Sequence, residues 1–86
     1  MINENDIILL DDFTNEMIKI LQEKLKKYGN AWKTTDLGIL KYKLDNQVNK
    51  CHVYRPTKSD AKRKCLHIAI YSFFLYNRLA YGKIKL

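Results

Sequence analysis

Lys26-Lys27-Tyr28-Gly29-Asn30-Ala31-Trp32-Lys33 joins two helix-like segments and carries the only Trp of the 86-residue chain. Gly29 reads as the cap that ends the first segment, because a residue without Cβ adopts positive φ at no steric cost. Asn30 keeps a polar amide beside the turn. Trp32 is large and apolar, so it is expected to fold back as a lid on the seam between helices. Lys26, Lys27 and Lys33 surround the joint with positive charge. Two readings stay open at this point. A capped helix end with a core Trp and solvated lysines needs no ligand. A rigid turn, a planar aromatic and flanking cations can also hold an anion with an aromatic part, such as a nucleotide.

Upstream of the joint, Phe13, Met17, Ile20, Leu21, Leu25 and Tyr28 recur at three- and four-residue steps, which predicts one apolar helical face. Lys19, Gln22, Glu23, Lys26 and Lys27 occupy much of the other face. The helix is expected to start near Asn5 or, after a break, near Asp11 and Asp12, where a carboxylate can accept a backbone N–H. Ile7-Ile8-Leu9-Leu10 is apolar all round. It is either a helical turn on the core or a contact surface for a second subunit.

Downstream, Thr34-Thr35-Asp36 is a second cap signal, and Leu37, Leu40, Leu44, Val48 and Cys51 mark the expected buried stripe of helix two. This helix is expected to end near Val53, since Pro56 restricts Arg55 to extended backbone and opens a loop to Asp60. Ser59 or Asp60 is the expected cap of helix three. That places Lys62-Arg63-Lys64 in its first turn, the wrong sign for a helix N-terminus and a pointer to an anionic partner. From Cys65 to Tyr76 the helix is apolar on nearly every side, which calls for burial on every side. Two neighbouring helices cannot easily supply that, so a second subunit is expected to cover the rest. Gly82 ends the helix.

Composition agrees with this reading. Three Gly and one Pro leave few turn residues, which favours long helices over a many-stranded sheet. The expected architecture is all-α, a small bundle of three main helices with a mostly apolar C-terminal helix, as one domain over residues 1–86 that gains burial by forming a homodimer or higher homo-oligomer. The N-terminus is acidic rather than basic and then apolar, so no signal peptide is read. No apolar run reaches the roughly 18 residues of a membrane span. The expected location is the cytoplasm, that of the host if the chain is viral. Residues 1–16 hold five acids and no Lys or Arg, whereas residues 17–86 hold sixteen bases and four acids, a net of +12. Such a body attracts a nucleotide or other anionic ligand, nucleic acid or an acidic protein.

A resemblance sharpens these expectations. Lys27-Tyr28-Gly29-Asn30-Ala31-Trp32-Lys33 resembles, in degenerate form, the DYG-x-[AS]-W-[RK] signature of the nucleotide modification associated domain family of phages and bacteria. Leu44-Asp45-Asn46-Gln47-Val48-Asn49-Lys50 is similar to that family's second helix. Ile68-Ala69-Ile70-Tyr71-Ser72-Phe73-Phe74, followed by Gly82, is similar to its final helix. The resemblance spans about residues 18–82, with one fairly specific motif and two loose ones. It implies a role near phage nucleotide metabolism and a helical pattern distantly like the MazG-type nucleotide pyrophosphohydrolases.

Those enzymes hold Mg²⁺ with carboxylates from two helices, and Mg²⁺ requires hard oxygen ligands. In the matching stretch, Asp45-Asn46-Gln47-Val48-Asn49, one carboxylate remains and the others are amides. The matching positions of helix three are Lys64 and His67, neither of them an acid. No catalytic residue, metal site or cofactor is therefore expected. Cys51-His52 and Cys65-x-His67 do not have zinc-pair spacing, because the two members of each pair point to different sides. A Cys51–Cys65 disulfide is not expected in a reducing cytoplasm either, so buried free thiols are expected there.

Two function classes result. In the first, a pocket between helices binds a nucleotide or nucleotide signal without cleaving it. Tyr28, Asn30, Trp32 and Lys33 form one wall, Asn49 and Lys50 meet the polar edge, and Tyr71 stacks or hydrogen-bonds. In the second, the chain is an interaction protein, for instance a phage-type inhibitor of a host nucleic-acid enzyme or defence system. Arg55, Lys58, Lys62, Arg63 and Lys64 then form its basic interaction surface.

Overall fold

Three α-helices and one short 3-10 turn account for the chain, as the computed structural model shows for residues 1–53 and 57–84. Helix α1 spans Glu4–Tyr28, the 3-10 turn Ala31–Lys33, α2 Leu37–Lys50 and α3 Lys58–Tyr81. Among the described residues there is no strand. None of the helices is long and apolar enough to cross a membrane.

The caps explain where each helix begins. Asn3 Oδ1 accepts the Asp6 N–H at 2.9 Å, so α1 starts at Glu4 and runs through Ile7–Leu10 without the break considered from sequence. Glu4 and Asp6 in its first turn and Lys26 and Lys27 in its last complement the helix dipole. Asp36 Oδ2 accepts the Gly38 N–H at 2.9 Å and starts α2. That helix ends at Lys50 rather than near Val53, because Cys51 is already extended at φ −85°, ψ 101°. The cap of α3 is Thr57, not Ser59 or Asp60. Its hydroxyl accepts the Asp60 N–H at 3.1 Å. The earlier start puts Asp60 in the first turn and moves Lys62-Arg63-Lys64 beyond it. The apparent conflict between that basic cluster and the helix dipole is thereby removed.

Gly29 and Gly82 end α1 and α3 with φ of 65° and 69° and ψ of −150° in both. This is positive-φ backbone outside the left-handed helical region, a conformation reached in practice by glycine alone. The sequence pointed to glycine caps, and the ψ angle makes the requirement stricter than a left-handed cap that Asn could share.

Helix α3 is the centre of the fold. Both α1 and α2 pack on it, and they make little contact with each other. Ile20 from α1, Leu40 from α2, and Ile70 and Phe74 from α3 form the buried core. Met17, Leu21, Trp32, Leu66, Tyr71 and Leu75 pack around it, half-buried. Ile70 is fully buried, at 0% exposure. The stripe expected on α2 is only partly realised. Leu40 is buried, Leu44 and Cys51 are half-buried, and Leu37 and Val48 are exposed. On α3 the two neighbouring helices cover more than expected, leaving Phe73, Tyr76, Leu79 and Tyr81 exposed. Ile7, Ile8, Leu9 and Leu10 are all exposed, with Leu9 at 68%, so in one copy of the chain this turn does not pack on the core.

A buried guanidinium ties the joint to α3. Arg78 is 4% exposed. Its Nη1 donates to the carbonyls of Trp32, at 3.1 Å, and of Thr35, while Nε donates to the Gly82 carbonyl at 3.1 Å. Among the described residues no carboxylate forms an ion pair with it. The planar fork thus satisfies backbone carbonyls at the end of the 3-10 turn and at the end of α3 together. Past Gly82, the Ile84 N–H donates to the Lys33 carbonyl at 3.0 Å and closes the same joint from the other side.

Candidate functional site

Because α1 and α2 both lie on α3 and scarcely touch, a groove remains between them. It holds a cavity of about 490 Å³. That lies within the size range of small-molecule sites, about 300–1,000 Å³. Lys24, Leu25, Tyr28 and Gly29 line it from α1 and its cap, and Ala31, Trp32 and Thr35 from the joint. From α2 come Leu40, Lys43, Asn46 and Gln47, and from α3 Tyr71 and Phe74. The lining has two cations, three aromatics with polar tips, two amides and a hydroxyl. It contains no carboxylate.

The joint sets the position of Trp32. The turn is closed by the Lys33 N–H donating to the Asn30 carbonyl at 3.0 Å and by the Thr35 hydroxyl donating to the Ala31 carbonyl at 2.6 Å. The indole then stacks on Phe74, with centroids 4.5 Å apart and planes 13° from parallel, and lies tilted to Phe73 at 5.9 Å. Tyr71 meets the edge of Phe74 at 5.9 Å. Trp32 is therefore both a core side chain and part of the cavity wall.

Lys24 is the electrostatic centre of the groove. Its ammonium sits 5.0 Å above the Tyr71 ring. Burial pushes its pKa below the ordinary lysine value; Tyr28 works against that shift, and Lys43, Arg63 and Lys27 add to it. It is a partly dehydrated cation facing other cations, with no carboxylate counter-charge in the cavity. Burial, and then Tyr28, raises the Tyr71 phenol above its usual value, which keeps its O–H a donor. Gln47 Oε1 is buried without a hydrogen-bond partner. An anion with polar edges would supply counter-charge to Lys24 and a donor to Gln47.

The structure brings together Tyr28, Trp32 and Tyr71 from the residues singled out in the sequence. Asn30 is exposed at the start of the 3-10 turn, with its side chain making no cap hydrogen bond. Lys33 is half-buried with its ammonium 5.9 Å from the Trp32 ring centre, outside the cavity lining. Asn49 and Lys50 do not reach the cavity. They sit exposed in the last turn of α2, while Lys43, Asn46 and Gln47 one and two turns earlier face it. Lys58, Lys62 and Arg63 are exposed and Lys64 is half-buried; Arg63 lies 3.5 Å from Glu23 of α1. Arg55 lies outside the described residues.

Lys24 and Lys43 were missed in the sequence, yet both leave a trace there. Lys24 stands four residues from Ile20 and from Tyr28, inside the apolar stripe of α1. Lys43 and Gln47 follow Leu40 at three and seven residues, inside the stripe of α2. A charged or amide side chain within or beside an apolar stripe is the signal.

The remaining titratable groups lie elsewhere. His67 is half-buried, and its Nδ1 has no partner. Burial, followed by Lys24, Arg63 and Lys64, lowers its pKa to about 4 against an opposing pull from Glu23. Both cysteines are free thiols. Cys51 is half-buried, whereas Cys65 is exposed, contrary to the burial expected for it. Among the described residues no three His, Cys, Asp or Glu side chains come together. Neither a family model, nor a curated protein, nor a solved structure matches this chain.

Proposed function

We propose that the chain is a small helical protein that binds a nucleotide, or a signal molecule built from one, in the groove between α1 and α2 and does not cleave it. One observation carries this reading: a cavity with Lys24 and Lys43 as cations, four aromatic side chains and two amides, and no carboxylate. The cations attract phosphate, the aromatic side chains offer surface to a base, and Asn46 and Gln47 offer paired donors and acceptors to its edge. The resemblance to the nucleotide modification associated domain family, and through it to a phage or mobile-element setting, points the same way. So does the loss of acids at positions where MazG-like enzymes hold Mg²⁺.

Isothermal titration with a panel of nucleotides and cyclic dinucleotides tests the reading. We expect at least one to bind with micromolar affinity, weakening as salt rises because partly exposed charges are screened over about 8 Å at physiological ionic strength. Lys43→Ala should lower the affinity about tenfold, equivalent to about 1.4 kcal/mol, with the melting temperature unchanged. No binding across the panel, or equal binding by Lys43→Ala, would remove the assignment. The bound nucleotide should also survive incubation with Mg²⁺ or Mn²⁺ without release of phosphate or pyrophosphate.

A second reading, an interaction protein that inhibits a host nucleic-acid enzyme or defence system, is favoured by the exposed apolar run Ile7–Leu10. Contiguous apolar surface of this kind marks contact sites. The same run, with Tyr76, Leu79 and Tyr81 on α3, fits a homodimer. Light scattering at micromolar concentration should then give more than one chain per particle, and Leu9→Glu should give one. A monomeric parent protein would leave this surface to another partner.

A further inference from the structure

We propose that Cys51 and Cys65 are an intramolecular thiol–disulfide pair, oxidised by a disulfide of the glutathione type. The inference is independent of the ligand in the groove. Cys51 is the residue that ends α2, and Cys65 lies in the second turn of α3. Cys51 Sγ approaches the Ala61 carbonyl oxygen at 3.9 Å. In a regular helix that carbonyl accepts the N–H of the residue four places on, which is Cys65. A helical side chain leans back over the turn before it, so the Cys65 sulfur leans toward the carbonyl that Cys51 already touches. This places the two thiols beside the same turn of α3. Burial first, and then the neighbouring Cys65 thiol, raise the Cys51 pKa, in keeping with the closeness of the two side chains.

Their environments assign the order of events. Cys65 is exposed and Cys51 is half-buried. Lys62, Arg63 and Lys64 precede Cys65 in the chain and favour approach of an oxidant that carries carboxylates. Cys65 loses its proton to solvent, and its thiolate attacks one sulfur of oxidised glutathione. The glutathione S–S bond breaks, a protein–glutathione S–S bond forms, and one glutathione thiolate leaves and is protonated. Cys51 then loses its proton, and its sulfur attacks the Cys65 sulfur. The mixed disulfide breaks, the Cys51–Cys65 bond forms and the second glutathione leaves. Two protein thiols are oxidised and one small disulfide is reduced to two thiols. The bond would fasten the end of α2, which carries Lys43 and Gln47, to α3, which carries Tyr71.

The folded protein should be incubated with oxidised and reduced glutathione at fixed ratios, quenched with an alkylating agent, and analysed by intact mass and peptide mapping. We expect a single chain, not covalently linked to another, lacking two hydrogens, with a Cys51–Cys65 peptide pair and no residual glutathione adduct. Cys51→Ser should instead accumulate glutathione on Cys65. Cys65→Ser should leave Cys51 unmodified over the time in which the parent oxidises fully. The same incubation in urea should shift the balance about tenfold or more toward mixed disulfides, because only the fold holds the two sulfurs together. The inference fails if the folded parent stops at a glutathione adduct, links chain to chain, or forms the internal bond no more readily than the unfolded chain. A higher melting temperature for the oxidised protein than for the reduced one is the independent readout, since the bond removes freedom from the unfolded chain. An unchanged or lower value would mean that the two sulfurs do not meet in the native state.

Discussion

Replacing Arg78 with Met tests whether the guanidinium holds the joint that carries Trp32. The side chain is 4% exposed and donates to the carbonyls of Trp32, Thr35 and Gly82. Methionine has similar length and fills the space, so the loss is polar rather than steric. Each hydrogen bond from a charged donor contributes about 1.5–3 kcal/mol, and a carbonyl left without a donor costs about 1–3 kcal/mol. Against this, the buried charge no longer has to be desolvated, which returns part of the loss. The net should be about 3 kcal/mol or more, from three carbonyls left without a donor at about 1–3 kcal/mol each, offset in part by the returned desolvation. A domain of this length is stable by roughly 4–13 kcal/mol at about 0.05–0.15 kcal/mol per residue. The expected fall in melting temperature is therefore at least about 12 °C, at roughly 4 °C or more per kcal/mol. Urea unfolding followed by circular dichroism measures the stability, and emission from the single Trp reports the joint itself. Arg78→Lys should fall between the parent and Arg78→Met, since an ammonium keeps the charge without the planar fork. If Arg78→Met melts within about 2 °C of the parent with unchanged Trp emission, the carbonyls are satisfied by water and the latch is not needed.

Further outcomes follow from individual residues. Gly29→Ala should destabilise the fold by about 1–3 kcal/mol through backbone strain at φ 65°, ψ −150°, since a Cβ there would meet nothing within 4 Å; equal stability by thermal melting would refute this. His67 has a folded pKa of about 4 against 6.5 as a free side chain, so between those values the unfolded chain binds the extra proton. Stability should therefore fall as pH drops from about 6.5 to about 4 and then level off with respect to this group, and His67→Gln should flatten the slope. Because solvent reaches part of the ring, the loss should stay below about 3 kcal/mol. Trp32→Ala should cost about 3–5 kcal/mol by removing the ring stacked on Phe74, whereas Lys33→Ala should change the melting temperature by less than about 2 °C; a reversed order would move Trp32 out of the core.

Local chemistry made the helices legible in the chain itself. Gly29, Asp36 and Gly82 are punctuation that acts within one turn, and apolar residues at three- and four-residue steps define a face before any partner is present. The all-α class and the place of Trp32 at the seam follow from those signals. The ends shifted where two similar caps competed: Thr57 took the role expected of Ser59 or Asp60, and the difference is one hydroxyl contact of 3.1 Å. Tertiary structure alone decided the rest. Periodicity says that a face is buried, but not against which helix, so it could not show that α1 and α2 share α3 and leave a groove between themselves. That gap is what turns Lys24 and Lys43 into the cations of a cavity and leaves Asn49 and Lys50 on the surface one turn away. The same is true of Arg78, whose three acceptors lie up to 46 residues away along the chain, and of Cys51, whose sulfur is brought to the Ala61 carbonyl only by the packing of α2 on α3.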